Sequence, residues 1–159
     1  MSLRPFVFIG VGGTGGRTLG VVHQTMKDTL TRIGWEDLWP SGWQFVHFDV
    51  PANPDPVDES LPYALPRTQY FGLTTPKDTY DQLDEAISSS FNAAPSVRYQ
   101  AWDCWRPVPP SSVSDDITNG AGQHRALGRV AAVHGLKKID DALKDAFSRL
   151  RAPGSQDQL

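Results

Sequence analysis

The stretch that most constrains this chain runs from Phe6 to Leu19. A short apolar, β-prone run, Phe6-Val7-Phe8-Ile9, stops at Gly10, and five glycines then fall within seven residues: Gly10, Gly12, Gly13, Gly15 and Gly16. After Arg17 a helical pattern begins, so the order is strand, glycine loop, helix. Glycine reaches backbone angles closed to other residues and lets a ligand touch the main chain. The free N–H groups and positive dipole end of the following helix then face an anion. In that context a G-x-G-x-x-G spacing predicts a phosphate site; a tight strand-to-helix turn without ligand is the alternative.

Composition narrows the surroundings. At 159 residues the chain has the length of one domain with a real core. Lys and Arg number 15 against 18 Asp and Glu, a net charge of -3, which leaves no basic field for nucleic acid. A helix terminus acts locally, so an acidic protein can still hold a nucleotide. The single cysteine, Cys104, excludes an internal disulfide and a cysteine-rich zinc site. Its tryptophan neighbours, Trp102 and Trp105, predict that it is buried. His23, His47, His124 and His134 show no paired metal spacing. The run Phe6–Ile9 is too short for a signal peptide, and no run of about 18 apolar residues predicts a membrane span. The expected location is the cytoplasm.

From Thr18, Leu19, Val22, Met26, Leu30 and Ile33 keep helical spacing, and Gly34 is a candidate left-handed cap. Trp35 to Gln44 reads as a packed connection. Phe45 to Val50 reads as a second strand ended by Pro51. Five prolines between Pro51 and Pro66 predict an extended surface loop. A helix capped by Thr75 with Pro76 at its first position follows, its stripe formed by Tyr80, Leu83, Ile87 and Phe91. Val97 to Trp102 is a candidate third strand. The Gly120-Ala121-Gly122 cluster opens one last long helical element reaching Leu150, and residues 152–159 read as a disordered tail. Two strand–loop–helix units predict an α/β fold: a three-layer, Rossmann-like parallel sheet with flanking helices.

Asp49, at the end of the second strand, stands where an acid holds ribose hydroxyls in dinucleotide-binding domains, though farther from the glycines than the usual 20 or so residues. A solvated or turn-capping aspartate is the alternative. Arg125 and Arg129 lie four apart, hence on one helical face. Near a helix start their guanidinium forks suit a phosphate; Asp115 and Asp116 are the competing structural partners.

Together the two glycine loops resemble the tubulin/FtsZ superfamily of GTP-binding, filament-forming proteins, and most closely the bacterial tubulin-like family. Gly10-Val-Gly-Gly-Thr-Gly-Gly16 is similar to the first phosphate loop of FtsZ, differing at Thr14. Gly120 to Arg129 aligns without a gap to the third loop, sharing Gly120, Ala121, Gly122, Gly128 and Arg129. The resemblance implies GTP or GDP as ligand, with magnesium held through the phosphates. It places Gly12, Gly13, Thr14 and Gly15 at the α- and β-phosphates and Ala121 and Gly122 toward the γ-phosphate; Gly10, Gly16, Arg17, Asp49, Gly120 and Arg129 complete the expected nucleotide-binding set. It also implies action through self-association or association with other subunits.

Departures from the family pattern are equally specific. Pro51 stands where FtsZ has an aspartate, and Gln123, His124 and Arg125 replace Ala-Asn-Pro. The Gly-Gly-Gly-Thr-Gly signature, the base-reading helix and the hydrolysis loop have no counterpart. The expectation is therefore an incomplete fold: residues 1–150 as the N-terminal part of a nucleotide-binding domain, followed by a polar tail at 151–159. No catalytic residue is assigned. A Rossmann-type dinucleotide or adenylating domain, and a scaffold with a degenerate site, remain open alternatives.

Overall fold

The computed structural model describes residues 4–35, 39–56, 63–92, 104–107, 113, 116–122 and 124–151. The chain divides into two compact units: residues 1–49, 54–71 and 139–159 form the first, and residues 50–53 with 72–138 the second. The architecture is α/β, a three-stranded parallel sheet of order β1-β2-β3 with flanking helices.

In the first unit β1 (Phe6–Val11) passes directly into helix α1 (Gly12–Arg32). The expected start near Thr18 is thus corrected: α1 begins at Gly12 and runs through the glycines. Only at Gly12 does the loop need a left-handed angle, φ 70°, which turns the strand into the helix. The C-terminus of α1 follows expectation. Gly34 adopts φ 75°, its N–H donates to the Thr31 carbonyl at 3.1 Å, and the Trp35 N–H donates to the Leu30 carbonyl at 3.0 Å. That pair of bonds is a Schellman cap.

Strand β2 (Trp43–Asp49) pairs in parallel with β1, with Phe6 opposite Trp43 and Gly10 opposite His47. Phe45, Val46, His47 and Phe48 are all buried, as expected of a strand covered on both faces. Phe45 meets His23 of α1 edge-on at 5.2 Å. On the other face Val46 and Phe71 line a cavity of about 410 Å³ with Ala142 and Ala146 of helix α4 (Leu136–Arg151). Strand β3 (Tyr70–Gly72) completes the sheet. No strand was expected there, and the candidate at 97–102 lies outside the described residues.

In the second unit helix α2 (Tyr80–Asn92) packs against α3 (Arg125–His134), burying Leu83, Ile87, Leu127 and Val130. Thr79, rather than Thr75, caps α2. Its hydroxyl accepts from the Gln82 N–H at 3.3 Å while Gln82 Oε1 accepts from the Thr79 N–H at 3.2 Å, a capping box. Thr75 belongs instead to a preceding turn, its N–H donating to Asp78 Oδ2 at 2.6 Å.

The last element is two helices rather than one. The break falls at Gly135, where an added Cβ would lie 2.9 Å from Leu73 Cδ2. Close approach of the backbone to that core leucine interrupts a run whose periodicity alone reads as continuous. The Gly120–Gly122 cluster follows a 3-10 turn, Ile117–Asn119, rather than a described strand. Cys104 is exposed, which corrects its expected burial.

Candidate functional site

The strand-to-helix turn of the first unit builds the most complete constellation. The cap position of α1 is Val11, which offers no side-chain cap, and the first turn carries no acid. Uncapped N-terminal amides of a long helix are a ready-made anion site. Gly13 and Thr14 are exposed there, and nothing lies within 4 Å of where a Gly13 side chain would begin.

The other glycines of the loop serve packing. An added Cβ on Gly10 would sit 2.7 Å from Leu19 Cδ1 and 2.8 Å from the Gly15 carbonyl oxygen, while one on Gly15 would sit 2.9 Å from the Gly10 carbonyl carbon. These two glycines let β1 and α1 press together. At Gly16 the space is taken by His47, whose Cε1 would be 2.1 Å from an added Cβ.

A small cleft of about 40 Å³ adjoins the loop, lined by Gly13, Gly16, Arg17, His47, Asp49 and Tyr70, with 54–55 and 63–65 closing it. The Tyr63 backbone reaches this place by crossing α1 at buried Gly20, where an added Cβ would lie 2.4 Å from its carbonyl oxygen. His47 Nε2 donates to the Gly12 carbonyl at 3.0 Å and lies 3.8 Å from Asp49 Oδ2. Tyr70 meets the imidazole edge-on at 5.1 Å. Burial, then the charges of Asp49 and Asp55, push the Tyr70 phenol well above its ordinary pKa. The phenol is therefore a neutral hydrogen-bonding group throughout the physiological range.

The first unit thus brings together Gly13, Gly16, Arg17 and Asp49 of the expected site residues. Asp49 is the last residue of β2, as expected. Three residues were not anticipated: His47, Asp55 and Tyr70. A usable signal existed for His47, since strand alternation puts it on the same face as Phe45, two residues before the strand ends.

In the second unit Gly120 and Gly122 take φ 121° and 55°, and the His124 N–H donates to the Ala121 carbonyl at 2.7 Å. Asp116 is held by the turn it starts: Oδ1 accepts from the Thr118 N–H at 3.0 Å and from its hydroxyl at 2.6 Å. Those bonds lower its pKa. Arg125 and Arg129 are both exposed on α3, and the Arg129 guanidinium stacks 4.3 Å over the Trp105 ring, a partner that no sequence pattern indicated.

The sequence profile of the family described as "Tubulin like" matches residues 7–158. The chain belongs to the tubulin-like family. No curated protein and no solved structure matches it. The match to this family takes in both glycine clusters and the whole of the sheet from Val7 onward. Among the described residues no helix is long and apolar enough to cross a membrane.

Proposed function

We propose that this tubulin-like domain binds a guanine nucleotide, GTP or GDP, with phosphate oxygens on the N–H groups of Gly12, Gly13 and Thr14, and with Gly15 behind them holding the turn against Gly10. The observation that carries the reading is the start of α1: an uncapped, acid-free helix N-terminus opening directly from the end of a parallel strand. Membership in the tubulin-like family supports guanine over a dinucleotide. The adjoining cleft is too small to enclose a nucleotide, so the phosphates would lie on the loop with Arg17 beside them. Asp49 suits ribose hydroxyls better than phosphate, being an acceptor only. Among the described residues no three His, Cys, Asp or Glu side chains converge as a metal site, so magnesium would arrive with the phosphates. In this reading the domain works in the cytoplasm by associating with copies of itself or with other subunits, and bound nucleotide biases that interface.

The test is direct. Purified chain is denatured and the released nucleotides are separated by anion exchange, then the emptied protein is titrated calorimetrically with GTP, GDP, ATP and NAD. Saturable binding of GTP or GDP, abolished by Gly13→Val, is expected. Binding of NAD alone would favour a dinucleotide domain instead. Failure to bind any of the four, or equal affinity in Gly13→Val, overturns the assignment.

A further inference from the structure

We propose that His47 is a positioning residue for the glycine loop: it sets the peptide between Gly12 and Gly13 so that the Gly13 N–H points at the anion. The inference rests on the nucleotide reading above.

Three observations converge on the imidazole. It occupies the volume a side chain at residue 16 would need, Cε1 at 2.1 Å and Nε2 at 2.5 Å from an added Cβ, so Gly16 is the residue type that admits the ring. Its Nε2 donates to the Gly12 carbonyl at 3.0 Å. The ring itself is placed by the parallel register that sets His47 opposite Gly10 and by the Tyr70 ring at 5.1 Å.

The consequence follows from peptide geometry. In a planar trans peptide the C=O of one residue and the N–H of the next point in opposite directions. Drawing the Gly12 carbonyl toward His47 turns the Gly13 N–H away from the ring. Gly13 is exposed, with open space where a Cβ would stand. The Gly12–Gly13 peptide joins two glycines, the first at φ 70°, at the very start of α1, where the backbone is softest and a side-chain restraint has most effect. His47 supplies that restraint without touching the ligand.

The experiment compares wild type, His47→Phe, His47→Gln and Gly16→Ala as full 159-residue chains. Each is titrated with GDP and with pyrophosphate, its Gly13 amide is followed in 1H–15N spectra, and its stability is measured in urea. His47→Phe fills the space without a donor and should weaken both ligands about threefold to tenfold, the worth of one hydrogen bond. It should also diminish the ligand-induced shift of the Gly13 amide. His47→Gln keeps an N–H donor at similar reach and should restore most of the affinity. Gly16→Ala displaces the ring and should resemble His47→Phe, which keeps the proposal testable if that variant does not fold. Wild-type affinity and an unmoved Gly13 amide in the folded variants, with only the urea midpoint lowered, overturn the positioning role alone. If wild type binds neither ligand, the nucleotide reading falls and this role with it.

Discussion

Two glycines three residues apart, Gly10 and Gly13, should respond to alanine in opposite directions. At Gly10 the new Cβ would lie 2.7 Å from Leu19 Cδ1, 2.8 Å from the Gly15 oxygen and 2.9 Å from its carbonyl carbon. Two of those atoms are backbone and cannot swing aside. Overpacking of this kind costs about 1–3 kcal/mol. At Gly13 nothing beyond the helix's own backbone lies within 4 Å of the new Cβ, and φ is not left-handed. There, alanine loses nothing in the folded chain and restricts the unfolded one, a gain of about 0.4–1 kcal/mol. For a chain of this length each kcal/mol moves the thermal midpoint by about 2–4 °C. Gly10→Ala should therefore melt about 2–12 °C lower than wild type, and Gly13→Ala about 1–4 °C higher. The assay is thermal unfolding by far-UV circular dichroism, with urea titrations for the free energies. On the nucleotide reading, the more stable Gly13→Ala should also bind GDP more weakly, because its methyl stands where the phosphate approaches. A lower midpoint for Gly13→Ala, or a neutral Gly10→Ala, would refute the division of the loop into packing glycines and an open one.

Three further outcomes follow from the second unit. Arg106 Nη1 meets Asp84 Oδ2 at 2.5 Å with both side chains under 10% exposed (9% and 7%), so Arg106→Ala should lose about 3–5 kcal/mol in urea by stranding a buried carboxylate, and adding Asp84→Leu should recover much of it. The Tyr80 phenol, pushed up to about 12 by burial and then by Asp84 against the opposing pull of Arg106, favours its neutral form in the folded chain. Its contribution to stability is intact below pH 10 and declines as pH rises from about 10 toward 12, so Tyr80→Phe should flatten that alkaline loss in urea titrations. Cys104, exposed in the native fold, should react fully with a thiol reagent without denaturant; reaction only after unfolding would contradict its placement.

Much of the strand–turn–helix segment that carries the candidate site was legible because it depends on chemistry between near neighbours. A run of β-prone residues, a glycine cluster and a helical stripe announce a strand, a turn and a helix wherever the chain lies, and the glycine at the end of α1 announces its own cap. Asp49 at the close of β2 follows from Pro51 and from strand length. The start of α1 differs from the expectation because the glycines read as a loop before the apolar stripe that begins after Arg17, whereas they form the first turns of the helix. Here the helix N-terminus tolerates Gly12 to Gly16 because the sheet beneath pays back their weak propensity through the contacts of Gly10 with Gly15 and of Gly16 with His47. The cap of α2 was misplaced for a different reason: Thr75-Pro76 and Thr79-x-x-Gln82 are both plausible starts, and only the bonds actually made distinguish them.

By itself, then, the sequence determined the α/β class, the strand–glycine–helix turn and the family, since each is carried by local backbone preference or by residues in fixed order. The tertiary structure decided what depends on distant partners. Tyr70–Gly72 is a strand through pairing alone, three residues being too few for any periodicity to show. The run beyond Arg125 is two helices because Gly135 meets Leu73. The bond from His47 to Gly12 spans 35 positions and exists because the parallel register sets His47 opposite Gly10. A register is a relation between two strands, and no single stretch of sequence contains it.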